Sequence, residues 1–165
     1  MFDIGDYIVC GSNGVCRVKE IGPLSMNGAD RTRKYYTLEQ IYSGGGRIFT
    51  PVDNQKVVMR PVLSKAEADE LVDEMTDIDI LWISNDRKRE DEYKQALRKC
   101  DCKELVRIIK TLYQRKKTRI AAGKKVTAAD EKYFKIAEDC LYGELAISFN
   151  MEKDEVKEYI KKCVD

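Results

Sequence analysis

The sequence contains no histidine and only one tryptophan among its 165 residues. Without an imidazole side chain, the chain has no Ser-His or Cys-His dyad and no histidine ligand for a metal ion. The common layouts of hydrolases and oxidoreductases are therefore excluded. We expect a protein that is not an enzyme and that needs no cofactor.

Long apolar runs are also missing, since none approaches the roughly 20 residues that a membrane span requires. The first residues, Met1 to Ile4, lack the charged and apolar regions of a signal peptide. Of the residues, 43% are hydrophobic and 36% are charged, which is too polar a composition for a membrane protein. We therefore expect a soluble, cytoplasmic protein that makes no membrane contact.

The cysteines are expected to be reduced thiols in that compartment rather than a disulfide framework. They are Cys10, Cys16, Cys100, Cys102, Cys140 and Cys163. The first four could supply thiolates to zinc, but neither pair has the spacing of a zinc knuckle and the pairs lie in different halves of the chain. The last two lie in apolar stripes and are predicted to be core residues. We predict no metal site, with a thiol-based redox or zinc protein as an alternative.

Charge is distributed unevenly along the chain, although the formal net charge is only +1. Residues 64–79 hold seven carboxylates against the single cation Lys65. Residues 105–129 hold no carboxylate, and their cations are Arg107, Lys110, Arg115, Lys116, Lys117, Arg119, Lys124 and Lys125. Such a segment is typical of a site for a polyanion. The alternative is a solvated helix end, where the helix dipole favours cations.

The chain changes character near Pro61. Up to that point, short stretches rich in β-branched and aromatic residues alternate with turn-forming residues. The turns fall at residues 11–14, at residues 22–28 and at the three glycines 44–46. This spacing predicts a compact five-stranded barrel or half-barrel over residues 1–62.

The stretch "SGGGRI" within this half could suggest a loop that cradles a phosphate. It lacks the Gly-Lys-Ser/Thr ending of a P-loop, and it stands between two predicted strands instead of before a helix. The favoured interpretation is the tip of a β-hairpin.

Residues 63–165 are predicted to be helical. Ser64, Asp101 and Thr127 each precede a carboxylate by three residues, the spacing of a capping box at a helix start. Gly123 is predicted to end the helix that begins near Asp101. The whole chain is thus predicted to be α+β, with a small β-barrel domain followed by a domain that is an antiparallel helical bundle.

Apolar residues recur in these helices at intervals of three and four. The third helix is predicted to bury Leu105, Ile108, Ile109 and Leu112. The fourth is predicted to bury Phe134, Ala137, Leu141 and Leu145, and a short last helix Val156, Ile160 and Cys163. Each helix therefore has one buried stripe, as a bundle requires.

Several motifs resemble the CarD/CdnL family of bacterial transcription regulators, whose N-terminal module is shared with transcription-repair coupling factor. In the first half these are "FDIGDYIVCGSNGVCRVKEI", "YYTLE" and the strand that ends in Thr50-Pro51. In the second half they are Trp82, "ELVRIIKTLYQRKK" and "AEDCLYGELA". The resemblance thus covers nearly the whole chain. The coupling factor itself is excluded, because its helicase would not fit in 165 residues.

The resemblance implies that an SH3/Tudor-like β domain, residues 1–62, binds the β subunit of RNA polymerase, partly by pairing a strand edge with it. It also implies that a helical domain, residues 63–165, contacts promoter DNA at the upstream edge of the melted bubble. The residues expected to bind polymerase are Met26, Arg47, Ile48, Phe49, Thr50 and Pro51. In some relatives an arginine lies two residues before the strand proline; that position is Phe49 here, and Arg47 lies on the same strand face.

The tryptophan matched by Trp82 is a minor-groove wedge in the family, beside cations that hold phosphates. The residues expected to bind DNA are Trp82, Arg87, Lys88, Arg89, Lys116, Lys117, Arg119, Lys124 and Lys125. An aromatic wedge stabilises an unstacked base step, and phosphate contacts position a protein without reading sequence. Typical relatives place two arginines almost directly after the tryptophan, whereas four residues intervene here. The alternative role of Trp82 is an indole that anchors the helices to the barrel.

Taken together, the sequence predicts a monomeric regulator that binds polymerase and promoter DNA together and alters the stability of the open complex. The partners are the RNA polymerase β subunit and DNA, the latter through contacts that are weak in isolation and independent of sequence. The main alternative is a cytoplasmic protein–protein adaptor without DNA contact, in which the basic helix is simply solvated.

Overall fold

The computed structural model describes residues 1–24, 32–42 and 44–164 of the chain. Within them, the first half forms one antiparallel sheet of five strands, in the order β4-β3-β2-β1-β5. The strands are β1 (Tyr7–Cys10), β2 (Val15–Gly22), β3 (Tyr35–Gln40), β4 (Arg47–Pro51) and β5 (Met59–Pro61). The two outermost strands, β4 and β5, do not pair with each other in this order. Of the two predicted alternatives, a closed barrel and a half-barrel, the described strands therefore agree with the open one.

Alternation along the strands builds the core of the sheet. Cys16 and Val18 of β2 are buried while Arg17 between them is exposed. These two pack with Ile8, Tyr36 and Leu38 on one face of the sheet. The period of two places one set of side chains on each face, so the pattern fixes which residues meet.

Strands β3 and β4 form the predicted hairpin, with Glu39 opposite Arg47. Gly44 and Gly45 have φ angles of 70° and 77°, which glycine adopts without a steric penalty. The amide of Gln40 donates to the carbonyl oxygen of Gly46 at 2.8 Å. The glycine stretch is therefore a hairpin connection between two strands.

The second half holds five α-helices and no strand among its described residues. They are α1 (Lys65–Glu74), α2 (Arg89–Arg98), α3 (Cys102–Ala121), α4 (Ala128–Phe149) and α5 (Lys153–Val164). One core is shared by side chains of all five helices. The predicted stripes of α3 and α4 are buried, with Ile109 and Phe134 at the half-buried margin. No helix in the described ranges is both long enough and apolar enough to cross a membrane.

The three predicted helix starts are correct, but only the first has a full capping box. Ser64 and Glu67 exchange hydrogen bonds in both directions. Asp101 instead caps α3 through the amide of Lys103. Thr127 caps α4 through the amide of Asp130, whose carboxylate goes to an arginine of α3 instead of back to the cap. At the other end of α3, Gly123 has a φ of 75° just beyond the last helical residue, as predicted.

The sheet and the helices meet along a seam. Val9 and Val15 of the sheet form a small buried cluster with Cys100, which precedes α3. The hydroxyl of Tyr42 donates to the carbonyl oxygen of Gly143 in α4 at 3.0 Å. The seam therefore has its own apolar contacts and hydrogen bonds.

Candidate nucleic-acid and polymerase interface

Trp82 is 85% exposed, although both of its neighbours face the helical core. Leu81 and Ile83 are half-buried and pack against that core. In an extended segment successive side chains point in opposite directions, so burying the neighbours turns the indole outward. The alternative that Trp82 anchors the helices to the sheet is therefore wrong.

Two polar contacts hold the segment that carries Trp82 onto α3. The amide of Leu81 donates to the buried hydroxyl of Thr111 at 2.8 Å, and that hydroxyl donates to the carbonyl of Arg107 at 2.6 Å. The ammonium of Lys110 donates to the carbonyl oxygen of Ile78 at 2.5 Å. The backbone before Trp82 is thus positioned by one face of α3.

A groove of about 380 Å³ lies beside the indole, between this segment and α3. Among the residues that line it are Trp82, Arg89, Arg115 and Arg119. Trp82, Arg89 and Arg119 were predicted as DNA-binding residues, and the fold brings them together. Arg115 was not predicted, although it belongs to the same basic run and lies one helical turn before Arg119.

Two of these arginines are engaged in ion pairs. Arg89 donates to Asp86 at 2.8 Å and to the hydroxyl of Tyr93 at 3.2 Å, and 18% of its side chain is exposed. Arg115 donates to the buried carboxylate of Asp130 at 2.7 Å and lies 3.9 Å from Asp86. The hydrogen bond from Arg89 lowers the pKa of Asp86, and the charges of both arginines act in the same direction. Arg89, which was predicted to bind DNA, thus also holds the loop after Trp82 against α2.

Four other predicted cations are exposed. Arg87 and Lys88 lie in a short 3-10 helix whose start is capped by Asn85. Lys124 and Lys125 lie in the exposed connection after α3. Arg119 donates to the carbonyl oxygen of Lys125 at 2.8 Å, which ties this connection to the groove face of α3.

Lys116 and Lys117 belong to a different face of α3. The groove residues of this helix recur at intervals of three and one, from Thr111 to Arg119, and Lys116 and Lys117 fall outside that spacing. The ammonium of Lys117 instead lies 4.6 Å from the centre of the Tyr113 ring, which is 52% exposed. The basic run is thus divided between two exposed surfaces of the helix.

Strand β4 presents the residues predicted to bind polymerase. Arg47 and Phe49 are exposed on one face, while Ile48 packs against the core of the sheet and Thr50 is buried. The strand lies at one end of the sheet order, with β3 as its neighbour. Pro51 ends it. Met26, the remaining predicted residue, lies outside the described residues.

The described cysteines are divided between the two halves of the chain. Cys10 and Cys16 are buried in the core of the sheet, and Cys102 is buried in that of the helices. In the described ranges no three His, Cys, Asp or Glu residues lie together as metal ligands would. Burial raises the pKa of Cys16 to about 12 and that of Cys140 to about 11. These two thiols are therefore protonated at neutral pH.

Comparison with known proteins agrees with this architecture of a sheet followed by helices. Residues 2–63 match the family model for the CarD-like/TRCF RID domain, which is Tudor-like. Residues 74–161 match the model for the CarD C-terminal domain. Comparison with individual curated proteins gave no match. The two matched domains are non-enzymatic regulatory domains of transcription-associated proteins that interact with RNA polymerase. The chain belongs to the CarD family.

Proposed function

We propose that this protein binds the β subunit of RNA polymerase and promoter DNA together, and that it alters the stability of the open complex. Residues 1–62 would be the polymerase-binding domain and residues 63–165 the DNA-contacting domain. The observation that carries the proposal is the exposure of Trp82 in a segment whose neighbouring residues are anchored. The proposal places the protein in the cytoplasm, acting as a monomer.

An exposed indole on an anchored segment suits a wedge. Apolar side chains that enter the minor groove partly unstack a base step, and an anchored backbone presents such a side chain in a fixed position. Leu81 and Ile83 fix the backbone on either side of Trp82, and Thr111 fixes its register against α3. The four residues that separate Trp82 from Arg87 form a bend and the start of a helical turn. Of the cations that follow them, Arg89 lines the same groove as Trp82.

Four exposed cations and the half-buried Arg119 would contact phosphates. Arg87 and Lys88 follow the wedge, and Arg119, Lys124 and Lys125 lie at the end of α3 on the groove side. These contacts would position the protein without reading sequence. Lys116 and Lys117, on the other face of α3, would contact a separate stretch of backbone.

Strand β4 supports the polymerase contact. An edge strand presents unpaired backbone groups to which an extended segment of a partner can add, with alternate side chains supplying specificity. Arg47 and Phe49 are the alternate exposed side chains of β4. We therefore place the polymerase β subunit along this edge.

Binding alone does not shift an equilibrium. The protein can change the ratio of closed to open complexes only through contacts that are stronger in one of the two states. Trp82 supplies such a contact, since the unstacked step that it fills exists only once the bubble has formed. The phosphate contacts are present in both states and supply affinity.

The proposal is tested with polymerase and promoter DNA by measuring the lifetime of open complexes with and without the protein. A photo-crosslinking residue at Ser84, which is exposed two residues after Trp82, should label DNA at the upstream edge of the bubble. The same group at Lys157 of α5, also exposed, should not. An adaptor without DNA contact predicts no labelling from either position and an unchanged lifetime.

A further inference from the structure

A second groove, of about 500 Å³, lies on the seam between the sheet and the helices. On one side it is lined by the turn after β1 and by residues that precede β5. On the other it is lined by α2 and α4. The lining residues on which the inference rests are Lys56, Val57, Val58, Lys94, Arg98 and Lys132. None of them belongs to the predicted DNA or polymerase contacts.

The residues that line the groove carry positive charge and no carboxylate, and the acid next to them is Glu90, which accepts from the hydroxyl of the lining residue Tyr133 at 2.9 Å. Lys56, Lys94, Arg98 and Lys132 are all exposed, and no carboxylate is among the lining residues. Within the described ranges, none of the four forms an ion pair with a carboxylate. Lys132 instead lies 5.3 Å from the centre of the Tyr133 ring. In a chain with nearly equal numbers of acids and bases, four unpaired cations around one groove are a local excess.

The floor of the same groove is apolar. Val57 and Val58 are 39% and 43% exposed, although valine is usually buried, and Leu97 and Ile136 lie beside them. A groove of several hundred Å³ with apolar walls and a few charged groups is typical of a small-molecule site. The ligand that fits this lining carries several negative charges and an apolar part.

We propose that the seam groove binds a small molecule with two or three phosphate groups, of the nucleoside phosphate class. Each phosphate carries roughly one to two negative charges at neutral pH, so a short phosphate chain matches four cations within one groove. An acidic peptide fits less well. Carboxylates on one face of an extended strand are about 7 Å apart, so four of them would span about 20 Å. The phosphate backbone of a DNA duplex offers no apolar group to pack against the exposed valines.

A bound ligand would touch both halves of the chain. Lys56 and Val58 belong to the sheet half, whereas Lys94, Arg98 and Lys132 belong to the helices. Ligand binding to the folded protein would therefore stabilise the arrangement of the two halves by mass action. This inference is independent of the DNA and polymerase contacts, and it is tested on the protein alone.

The probes are inorganic tripolyphosphate, ATP and adenosine, added to the isotope-labelled full chain at physiological ionic strength. Amide resonances of groove residues should shift with tripolyphosphate and ATP, with ATP the tighter of the two, and adenosine should bind weakly. The variant Lys94→Ala/Arg98→Ala should lower the affinity for tripolyphosphate and for ATP by at least about tenfold, because two charge-assisted contacts are lost. Val58→Ser should lower the affinity for ATP and leave that for tripolyphosphate unchanged.

The matched control is Lys157→Ala/Lys162→Ala, which removes the same charge from α5, a helix that does not line the groove, and should leave both affinities within about twofold. Equal weakening by the two variants would mean general attraction of anions and would overturn the proposal. So would the absence of shifts in the groove, tighter binding of hexaglutamate than of tripolyphosphate, or displacement of ATP by duplex DNA. Thermal melting of each variant checks that these exposed substitutions leave the fold intact.

Discussion

Arg60 of β5 and Glu144 of α4 form a bidentate ion pair across the seam, with nitrogen–oxygen distances of 2.6 and 2.7 Å. Glu144 is 1% exposed and also accepts from the amide of Leu63 at 3.0 Å and from the thiol of Cys102 at 3.0 Å. Burial opposes the charge of Arg60, but the hydrogen bonds and charge of Glu144 outweigh it and raise the pKa of Arg60. One carboxylate thus joins the last strand, the connection after it and two helices.

We predict that Glu144→Ala lowers the free energy of unfolding by about 3–5 kcal/mol, because it leaves the partly buried guanidinium of Arg60 unpaired. The double variant Arg60→Met/Glu144→Leu should be less damaging than Glu144→Ala, since no charge is left behind. Urea unfolding followed by circular dichroism measures both. The exposed pair Lys65–Asp69 is the control, and Lys65→Ala should cost less than about 1 kcal/mol. Equal losses for Glu144→Ala and Lys65→Ala would contradict the prediction.

Much of the fold is predictable from local patterns, and the exceptions have physical reasons. Ser64, Asp101 and Thr127 mark their helix starts because an N-cap depends only on neighbouring residues. The expected reciprocal bond at Thr127 fails because Arg115, 15 residues away, takes the carboxylate of Asp130. The pair of Arg60 and Glu144 joins residues 84 apart. No periodicity in the sequence reports such a contact.

In the candidate site, too, some features follow from neighbouring residues and others depend on contacts between distant parts of the chain. The apolar run from Ile80 to Ile83 does not reveal which side chain faces outward, because that depends on where α3 lies. The separation of Lys117 from Arg119 follows from helical spacing alone, since residues two apart point to opposite sides of a helix, and it could have been read from the sequence. The engagement of Arg89 by Asp86 could have been anticipated from their spacing of three residues.

The edge of β4 gives a prediction on polymerase binding. Arg47→Glu should weaken association of the full chain with the polymerase β subunit in the absence of DNA, by about tenfold or more, because it reverses a charge at the proposed contact. Arg17→Glu is the control, since Arg17 is exposed on β2, which is paired on both edges. Surface plasmon resonance compares the two. Equal effects would remove the reason for placing polymerase at β4.

The second face of α3 gives a prediction on salt dependence. If Lys116 and Lys117 contact phosphates, Lys116→Ala/Lys117→Ala should weaken association with the polymerase–promoter complex uniformly across sequences. It should also reduce the slope of log K against log salt by about 2. The control Lys157→Ala/Lys162→Ala removes equal charge from α5. An unchanged slope in the first variant would support the solvated-helix alternative.

The raised pKa of Cys140 predicts slow thiol chemistry. Burial is the largest cause of its shift from 9.0 to about 11, followed by the nearby Cys100. A raised thiol pKa means that the reactive thiolate appears only as the pH rises towards that value. At pH about 8 the thiolate fraction is then about 100-fold below that of an unshifted thiol.

Alkylation of Cys140 by iodoacetamide, followed by mass spectrometry, should be slower by at least this factor in the folded protein than in urea. Equal rates would revive the thiol-based alternative.

The last prediction concerns Trp82, whose exposure separates folding from function. A buried tryptophan replaced by alanine costs about 3–5 kcal/mol, but an indole that is 85% exposed contributes little packing. Trp82→Ala should therefore leave the melting temperature within about 2 °C of the parent. The adjacent Leu81→Ala should destabilise the protein measurably, because Leu81 packs against the helical core.

In promoter complexes, the effect of replacing Trp82 should appear in the lifetime of the open complex instead of in the stability of the fold. Trp82→Ala should retain polymerase binding yet change the open-complex lifetime towards that seen without the protein, and Trp82→Phe should be intermediate because the smaller ring still stacks. Melting and complex decay can be measured on the same preparations. A normal lifetime with Trp82→Ala would show that the exposed indole is not the contact that distinguishes open from closed complexes.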